Sequence, residues 1–595
     1  MLVESASASP SVSWPVLRML PPAFVVLAVA LLMPVLSRRL GHGLGVVATG
    51  SVAVWSYVVP AGTYLPVTFL GFDAVLFNVD AFSRLMGIIF GLIACAAVLY
   101  SYSSAASNTQ TAYALGYVGT SLGAVFAGDW LTMIFFWELM AVTSTLLVWD
   151  YGGEAVRAGF RYAIYHALGG SLFMAAIVWQ YVEVGSFLFS AAEGIVPGIP
   201  AALAAVGIGV NVGFVGLHTW LPDTYPRPHV AASVFLSVYT TKTGVYGMAR
   251  AFPDGHLLIA YMGAAMAMVG VIYALLQNDM RRLLAYHIQS QVGYMVAGVG
   301  IGTALATAGA FAHVFNHILY KALLFMTAGV VVARVDEENL KYLGGLRSAL
   351  PLTALAFTIA ALSISGFPGF NGFVSKGMIT AAAHDEHLDG VYYILLAAGV
   401  GTFMSFIKFG YYAFFRGTER NWTTVERAAN GQVVAMLGVA GLCVLFGLYP
   451  DALFTILPGD AHDAHPFTPG HIGEGLVLAL LGVVGFALLK KPLSKIGGAV
   501  PDVDSLLNPA AFYGTRTLVR GVTDLFAAVD RVVAGGSYAV AGAVSNPYPV
   551  LRRTASAFSR DGADDIGPGS LRATIATSIL LVVLVLAAAL VGLLG

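Results

Sequence analysis

Ser365 to Lys376 read SGFPGFNGFVSK. The stretch lies inside an apolar run over 350–380, long enough to cross a hydrocarbon core, which takes about 20 residues as a helix. Three glycines and a proline in its middle prevent one regular helix from running through. Backbone that leaves the helix at membrane depth is tolerated only where protein or a water-filled cavity satisfies its polar groups. The stretch therefore predicts a broken helix lining a polar route. A second one, GVNVGFVGLHTWLPD over 209–223, is interrupted in the same way. Paired broken helices in two halves of a chain point to an inverted-repeat transporter.

Composition outside these stretches demands a membrane. Of 595 residues, 58% are hydrophobic and 10% charged, and the mean hydropathy is +0.80, values that exclude a water-soluble globular domain. About sixteen apolar spans are expected along the chain. Lysine and arginine total 30 against 31 acids, so no polyanion such as nucleic acid is expected as a partner; the lipid bilayer is. Arg38/Arg39, Arg157/Arg161, Arg281/Arg282, Lys341/Arg347 and Lys490/Lys491/Lys495 follow odd-numbered spans, whereas Asp73, Asp80, Asp129, Glu183, Asp385, Glu386 and Asp389 follow even ones. The positive-inside rule then places the odd-numbered side in the cytoplasm and both termini outside it. No secretory leader is expected from MLVESASASPSVSWPVLRML.

The two cysteines, Cys95 and Cys443, both fall in apolar spans and lack metal-ligand spacing, so they read as packing residues. No cysteine cluster or dinucleotide loop is present, so no cofactor is expected and any redox chemistry belongs to partners.

A few ionisable groups sit inside the spans: Glu138 in FFWELM, Lys242 in TTKTG, His313, His317 and Lys321 in HVFNHILYKALLF, and Lys376 in GFVSK. Each charge at that depth costs about 2.5–3.5 kcal/mol on insertion scales, so function or close pairing has to offset it. Lys242 is too central in a span over 229–250 to snorkel. His313, His317 and Lys321 recur at i, i+4 and i+8, which puts them on one helical face. A His-x-x-x-His pair can bind zinc, but no further ligand is suggested and Lys321 would repel the cation. Imidazoles beside a lysine suit proton relay instead. Lys408, within about two turns of the cytoplasmic end, can reach the interface and is left off the set.

These segments resemble the antiporter-like subunits shared by respiratory complex I, membrane-bound hydrogenases and multisubunit Mrp-type cation/proton antiporters. FFWELM resembles the family's fifth-helix glutamate segment, LHTWLPDTYPRPHVAASVFLSVYTTKTGVYG its seventh-to-eighth-helix signature, and QNDMRRLLAYHIQSQVGY the start of its tenth helix. HVFNHILYKALLF and GFPGFNGFVSK complete a match over roughly 75–415, in the expected order. The resemblance implies an all-α integral membrane fold with a core of fourteen helices, two inverted five-helix repeats and a polar axis at mid-membrane. It also implies a proton path through Glu138, Lys242, His313, His317, Lys321 and Lys376, with no catalytic site of the chain's own. At one position the sequence departs: where the family usually carries a seventh-helix lysine paired with the glutamate, this chain has Asn211, whose amide can hydrogen-bond Glu138 but cannot supply a counter-charge.

The implied organisation is N-terminal transmembrane helices over 1–110, a proton-translocating core over 111–430, additional transmembrane helices over 431–490, a cytoplasmic amphipathic segment over 491–572 and a last span over 573–595. The amphipathic segment carries Leu518, Val522, Leu525, Val529 and Val532 opposite Arg516, Arg520 and Asp530 and reads as a docking element for a neighbouring subunit. The branch implied is the D-type subunit of an Mrp complex in the cell (inner) membrane, with related membrane subunits as partners and protons and a monovalent cation, sodium, as cargo. A pump subunit of a complex I or hydrogenase assembly, part of a translocase, and a coupling subunit for inorganic-carbon uptake stay open.

Overall fold

A computed structural model of the chain describes residues 20–417, 422, 425–459, 464–495, 501–558 and 582. The last expected span, over 573–594, lies outside the described residues except for Val582. The chain divides into two units, Met1–Val500 and Pro501–Gly595.

The first unit opens with α1 (Pro22–Leu32), α2 (Arg38–Val58) and, after a loop, α3 (Ala81–Ser103). The loop holds four short strands, β1 (Gly62–Thr63), β2 (Pro66–Phe69), β3 (Phe72–Val75) and β4 (Asn78–Val79), paired antiparallel as β1 with β4 and β2 with β3. The tight turn between β2 and β3 is made by Leu70 and Gly71, both at positive φ, 52° and 86°, the twist that two-residue hairpins favour. Asp129 anchors the loop. Its buried carboxylate accepts from Val75 N at 2.6 Å and from Thr132 N at 2.7 Å, so one side chain caps a helix and holds the hairpin.

Two five-crossing groups follow. The first consists of α4 (Asn108–Val125), α5 (Trp130–Trp149), α6 (Glu154–Val184), α7 (Ile199–Val212) with α8 (Trp220–Thr224), and α9 (Val230–Leu236) with α10 (Tyr239–Ala251). The second consists of α11 (Leu257–Leu276), α12 (Met280–Ile301), α13 (Ala304–Val335), α14 (Pro351–Ser365) with α15 (Asn371–Asp385), and α16 (Asp389–Gly410), which ends in a π-helical turn over Tyr411–Phe415. Five is odd, so the second group starts from the opposite face. The fourth crossing of each group is broken at the expected place: α7 ends on Gly213 at φ 79° and α14 on Gly366 at φ 81°, left-handed positions where only glycine is unstrained.

One break is not written in glycine or proline. The span expected to run unbroken over 229–250 is divided at Ser237 and Val238. Side chains take over the backbone groups on both sides of the gap: Thr240 N donates to the Tyr117 hydroxyl at 2.7 Å, and Lys242 Nζ donates to the Ser237 carbonyl at 2.5 Å. Helices are interrupted where such groups insert into the backbone ladder.

The first unit ends with α17 (Asn430–Leu448), α18 (Asp451–Phe454) and α19 (Pro469–Lys495). Among the described residues, eight helices are long and apolar enough to cross a membrane. Others carry a polar content that only burial in protein permits. From Met280 to Gly300, α12 is buried apart from Arg282, and its interior includes His287, Gln289, Ser290 and Gln291. In α13 every residue from Ala308 to Val331 is buried, so the helix runs through protein on all sides. The second unit contains α20 (Asp504–Ser545) and α21 (Tyr548–Phe558), and the stripe Leu518, Val522, Leu525, Val529 and Val532 on α20 is exposed.

Candidate proton path

Glu138 projects from α5 and is half-buried against α6. A β carbon on Gly170 would overlap its carboxyl group, so the bare backbone of α6 makes room for the acid. Beside it, Gly169 packs on Val210, the neighbour of Asn211 at the end of α7. The β carbon of Asn211 instead faces Gly244 of α10. Glu138 and Asn211 are not bonded to each other: both amide atoms of Asn211 are buried without a protein partner. The hydrogen bond that an amide could have offered Glu138 is not made. An unpaired buried amide costs about 1–3 kcal/mol for each polar group left bare, which favours hydration of this pocket. Asn211→Lys is expected to assemble normally on native gels and to supply Glu138 with a counter-charge; a variant that cannot assemble would show a pocket too tightly packed to take water.

Lys242 stands at the start of α10 and is fully buried. Its ammonium donates to the Ser237 carbonyl at 2.5 Å and to Thr241 Oγ1 at 3.0 Å. Among the described residues no carboxylate lies within ion-pair distance of it. A chain of hydroxyls reaches the same turn: Ser144 to Tyr162 at 2.9 Å, Tyr162 to Thr240 at 2.9 Å and Thr240 to Tyr117 at 2.5 Å. His166, one turn along α6, stacks on Tyr162 with centroids 3.9 Å apart. Its Nδ1 donates to the Tyr162 carbonyl, a group that can only accept, and its Nε2 is buried without a partner.

The central helix of the second group carries the next groups. On α13, His313 and His317 have ring centroids 6.2 Å apart, and Lys321 follows one turn on, as the i, i+4, i+8 spacing predicts. His313 bonds Ser375 on α15 through Nδ1 at 2.9 Å and reaches Tyr320 through Nε2 at 3.3 Å. Both ring nitrogens of His317 lack a protein partner, as do both of His287 on α12. Lys321 donates to the Leu284 carbonyl at 3.3 Å. Lys242, Lys321 and Lys376 are all buried, as are His313 and His317.

Lys376 sits just past the break between α14 and α15. It donates at 2.7 Å to Ile364, a carbonyl that the end of α14 leaves free, and rests 4.8 Å above the Tyr294 ring. Lys408, read as able to reach the interface, is buried instead. Its ammonium grips the Leu275 and Gln277 carbonyls at 2.8 and 2.6 Å, capping the C-terminal end of α11.

The structure therefore gathers Lys242, His313, His317, Lys321 and Lys376 along one buried row, with Glu138 set apart against α6 and Asn211 against Gly244 of α10. Sequence reasoning missed His166, His287 and the tyrosine hydroxyls. The recurrence of histidine in otherwise apolar spans was the one available signal.

Residues 127–405 match the transmembrane family described as NADH:quinone oxidoreductase/Mrp antiporter. Hydrogenase-4 component B of Escherichia coli is 30% identical over 458 residues, covering 68% of this chain and 67% of that protein. The chain belongs to this family. The D-type Na(+)/H(+) antiporter subunit of Alkalihalophilus pseudofirmus is 29% identical over 405 residues, 63% of this chain and 80% of the relative. Among solved structures, a chain of the Mrp complex from Dietzia sp. DQ12-45-1b shares the fold at a TM-score of 0.74 and 22% identity. The match covers 92% of this chain and spans 64% of that one. Membership makes this a multi-pass, antiporter-like membrane protein, and its relatives work inside multisubunit assemblies.

Proposed function

We propose that this chain is the proton-moving subunit of a multisubunit sodium/proton antiporter in the cell (inner) membrane, assembled with related membrane subunits. The observation that carries the reading is the row Lys242, Lys321 and Lys376, three buried ammonium groups that no carboxylate neutralises among the described residues. Fixed charges in such a setting are expensive; groups that can change their charge by binding and releasing protons are less so. Glu138 loads one end, Asn211 hydrates the pocket beside it, Lys242 passes the proton between the two five-crossing groups, and His317, His313 and Lys321 carry it to Lys376. The unpartnered nitrogens of His317 and His287 and the amide of Asn211 are points where water joins the row. Similarity to a D-type Na(+)/H(+) antiporter component supports sodium as the exchanged ion.

In everted vesicles carrying the complex, sodium added after a pH gradient is established is expected to collapse that gradient, read with a pH-sensitive dye, whereas potassium leaves it. The coverage of hydrogenase-4 component B favours a second reading, a pump subunit powered by a redox partner. A gradient that ignores sodium but is built when an electron donor is supplied would select that second reading.

A further inference from the structure

Outside the two five-crossing groups, α19 packs against α16 and brings two ionisable side chains to Lys376. His471, in its first turn, lays its imidazole over Gly377, the residue after Lys376. A β carbon at Gly377 would overlap the Cε1–Nε2 edge of the ring, so glycine is what admits it. Two contacts fix the ring: it stacks on Phe373 with centroids 4.3 Å apart, and Nδ1 donates to the Pro466 carbonyl at 2.7 Å. Because a carbonyl only accepts, Nδ1 bears the hydrogen and Nε2, facing α15, is left to accept a proton. Glu474 follows at i+3 on the same face and is held by the Tyr392 hydroxyl at 2.8 Å.

Two cavities meet at these side chains. A small one of about 30 Å³, enough to hold a water, is lined by Lys376, Tyr294 and Gly366. A wide, open one of about 630 Å³ is lined by His384, Asp385 and His465. Gly377, Thr380, His471 and Glu474 line both and form the partition. The wide cavity opens beside Asp385, on the face that the charge pattern assigns to the non-cytoplasmic side.

We infer that His471 and Glu474 form a proton relay between Lys376 and the outside water, supplied by a helix beyond the repeats. The inference rests on the proton-moving function proposed above. The ammonium of Lys376 gives a proton, through one water in the small cavity, to Nε2 of His471, leaving a neutral amine and an imidazolium. The imidazolium passes the proton to the Glu474 carboxylate, and the carboxylic acid releases it to water in the wide cavity, restoring both side chains. Tyr294 on α12, Lys376, His384 and Asp385 on α15, Tyr392 on α16 and His465 before α19 are the other titratable groups facing this partition.

The test uses the intact complex in vesicles, with assembly checked on native gels. Glu474→Gln and His471→Phe, the second keeping the stack on Phe373, are each expected to lower proton flux about tenfold, less than the about 100-fold at the low end for a positioned acid–base group because water in the wide cavity can bypass part of the relay. Glu474→Asp restores most of the flux. Tyr392→Phe, which removes the anchoring hydroxyl but no proton carrier, retains most of it. His471→Gln serves if the phenylalanine variant does not assemble. Normal flux in both the His471 and Glu474 variants overturns the relay. So does an equal loss in Tyr392→Phe and Glu474→Gln, which assigns Glu474 to anchoring α19. Lys242→Ala in the same preparation separates the failures: if it transports normally, the proposed function itself falls; if it is dead while the α19 variants work, only the relay does.

Discussion

Replacing Lys242 by arginine is expected to abolish proton translocation in complexes that still assemble. A primary amine can release a proton and take another, whereas a guanidinium stays protonated in almost any protein setting. The arginine variant therefore keeps a positive charge beside the Ser237 carbonyl and Thr241 hydroxyl that now hold the ammonium. If Lys242 serves only as a fixed charge that ties the two halves of its broken helix together, arginine preserves much of the function. If Lys242 cycles, flux disappears while the complex persists. Lys242→Ala cannot make this distinction, since it removes carrier and tie at once. Dye-monitored proton flux in everted vesicles, alongside native gels, decides between the two, and near-normal flux with arginine would sink the carrier role.

Glu138→Gln is expected to be the next most damaging change, lowering flux by about 100-fold, the lower end of what a positioned acid–base group contributes. The amide has nearly the shape of the acid, so the close fit against Gly170 survives and assembly is retained. What disappears is the capacity to bind and release a proton. No hydrogen bond or ion pair of Glu138 is lost with it among the described residues, so a large loss of flux without a loss of assembly isolates the proton chemistry. Unchanged transport would leave Glu138 a packing residue.

The charged members of the row were legible in the sequence because an ionisable side chain in an apolar span has few bland explanations. The breaks at Gly213 and Gly366 were legible for a similar reason, glycine and proline being the local punctuation of a helix. The break at Ser237 and Val238 was not, because what makes it is the Tyr117 hydroxyl, 123 residues away in the chain. The same holds for the hydroxyl chain through Ser144, Tyr162 and Thr240: serine, threonine and tyrosine are common in membrane helices, and only packing shows which of them meet. Lys408 was misread because distance to a span's end says nothing of what fills that end. The free carbonyls of α11 were closer than the interface. The short strands over 62–79 were hidden by position, in a loop that the distant Asp129 carboxylate helps to hold.

The burial of α13 has a mechanical consequence. At about 1.5 Å per residue its 32 residues measure about 48 Å, well beyond a hydrocarbon core of about 30 Å. A lipid-facing helix of that length would be subject to hydrophobic mismatch, tilting or distorting the bilayer as acyl chains lengthen or shorten. From Ala308 to Val331 α13 touches only protein, so its tilt is set by its neighbours. Peripheral helices such as α6 and α19, with Leu168, Val182, Leu480 and Leu488 turned outward, take up changes in membrane thickness instead. The spacing of His313, His317 and Lys321 is thereby insulated from lipid composition.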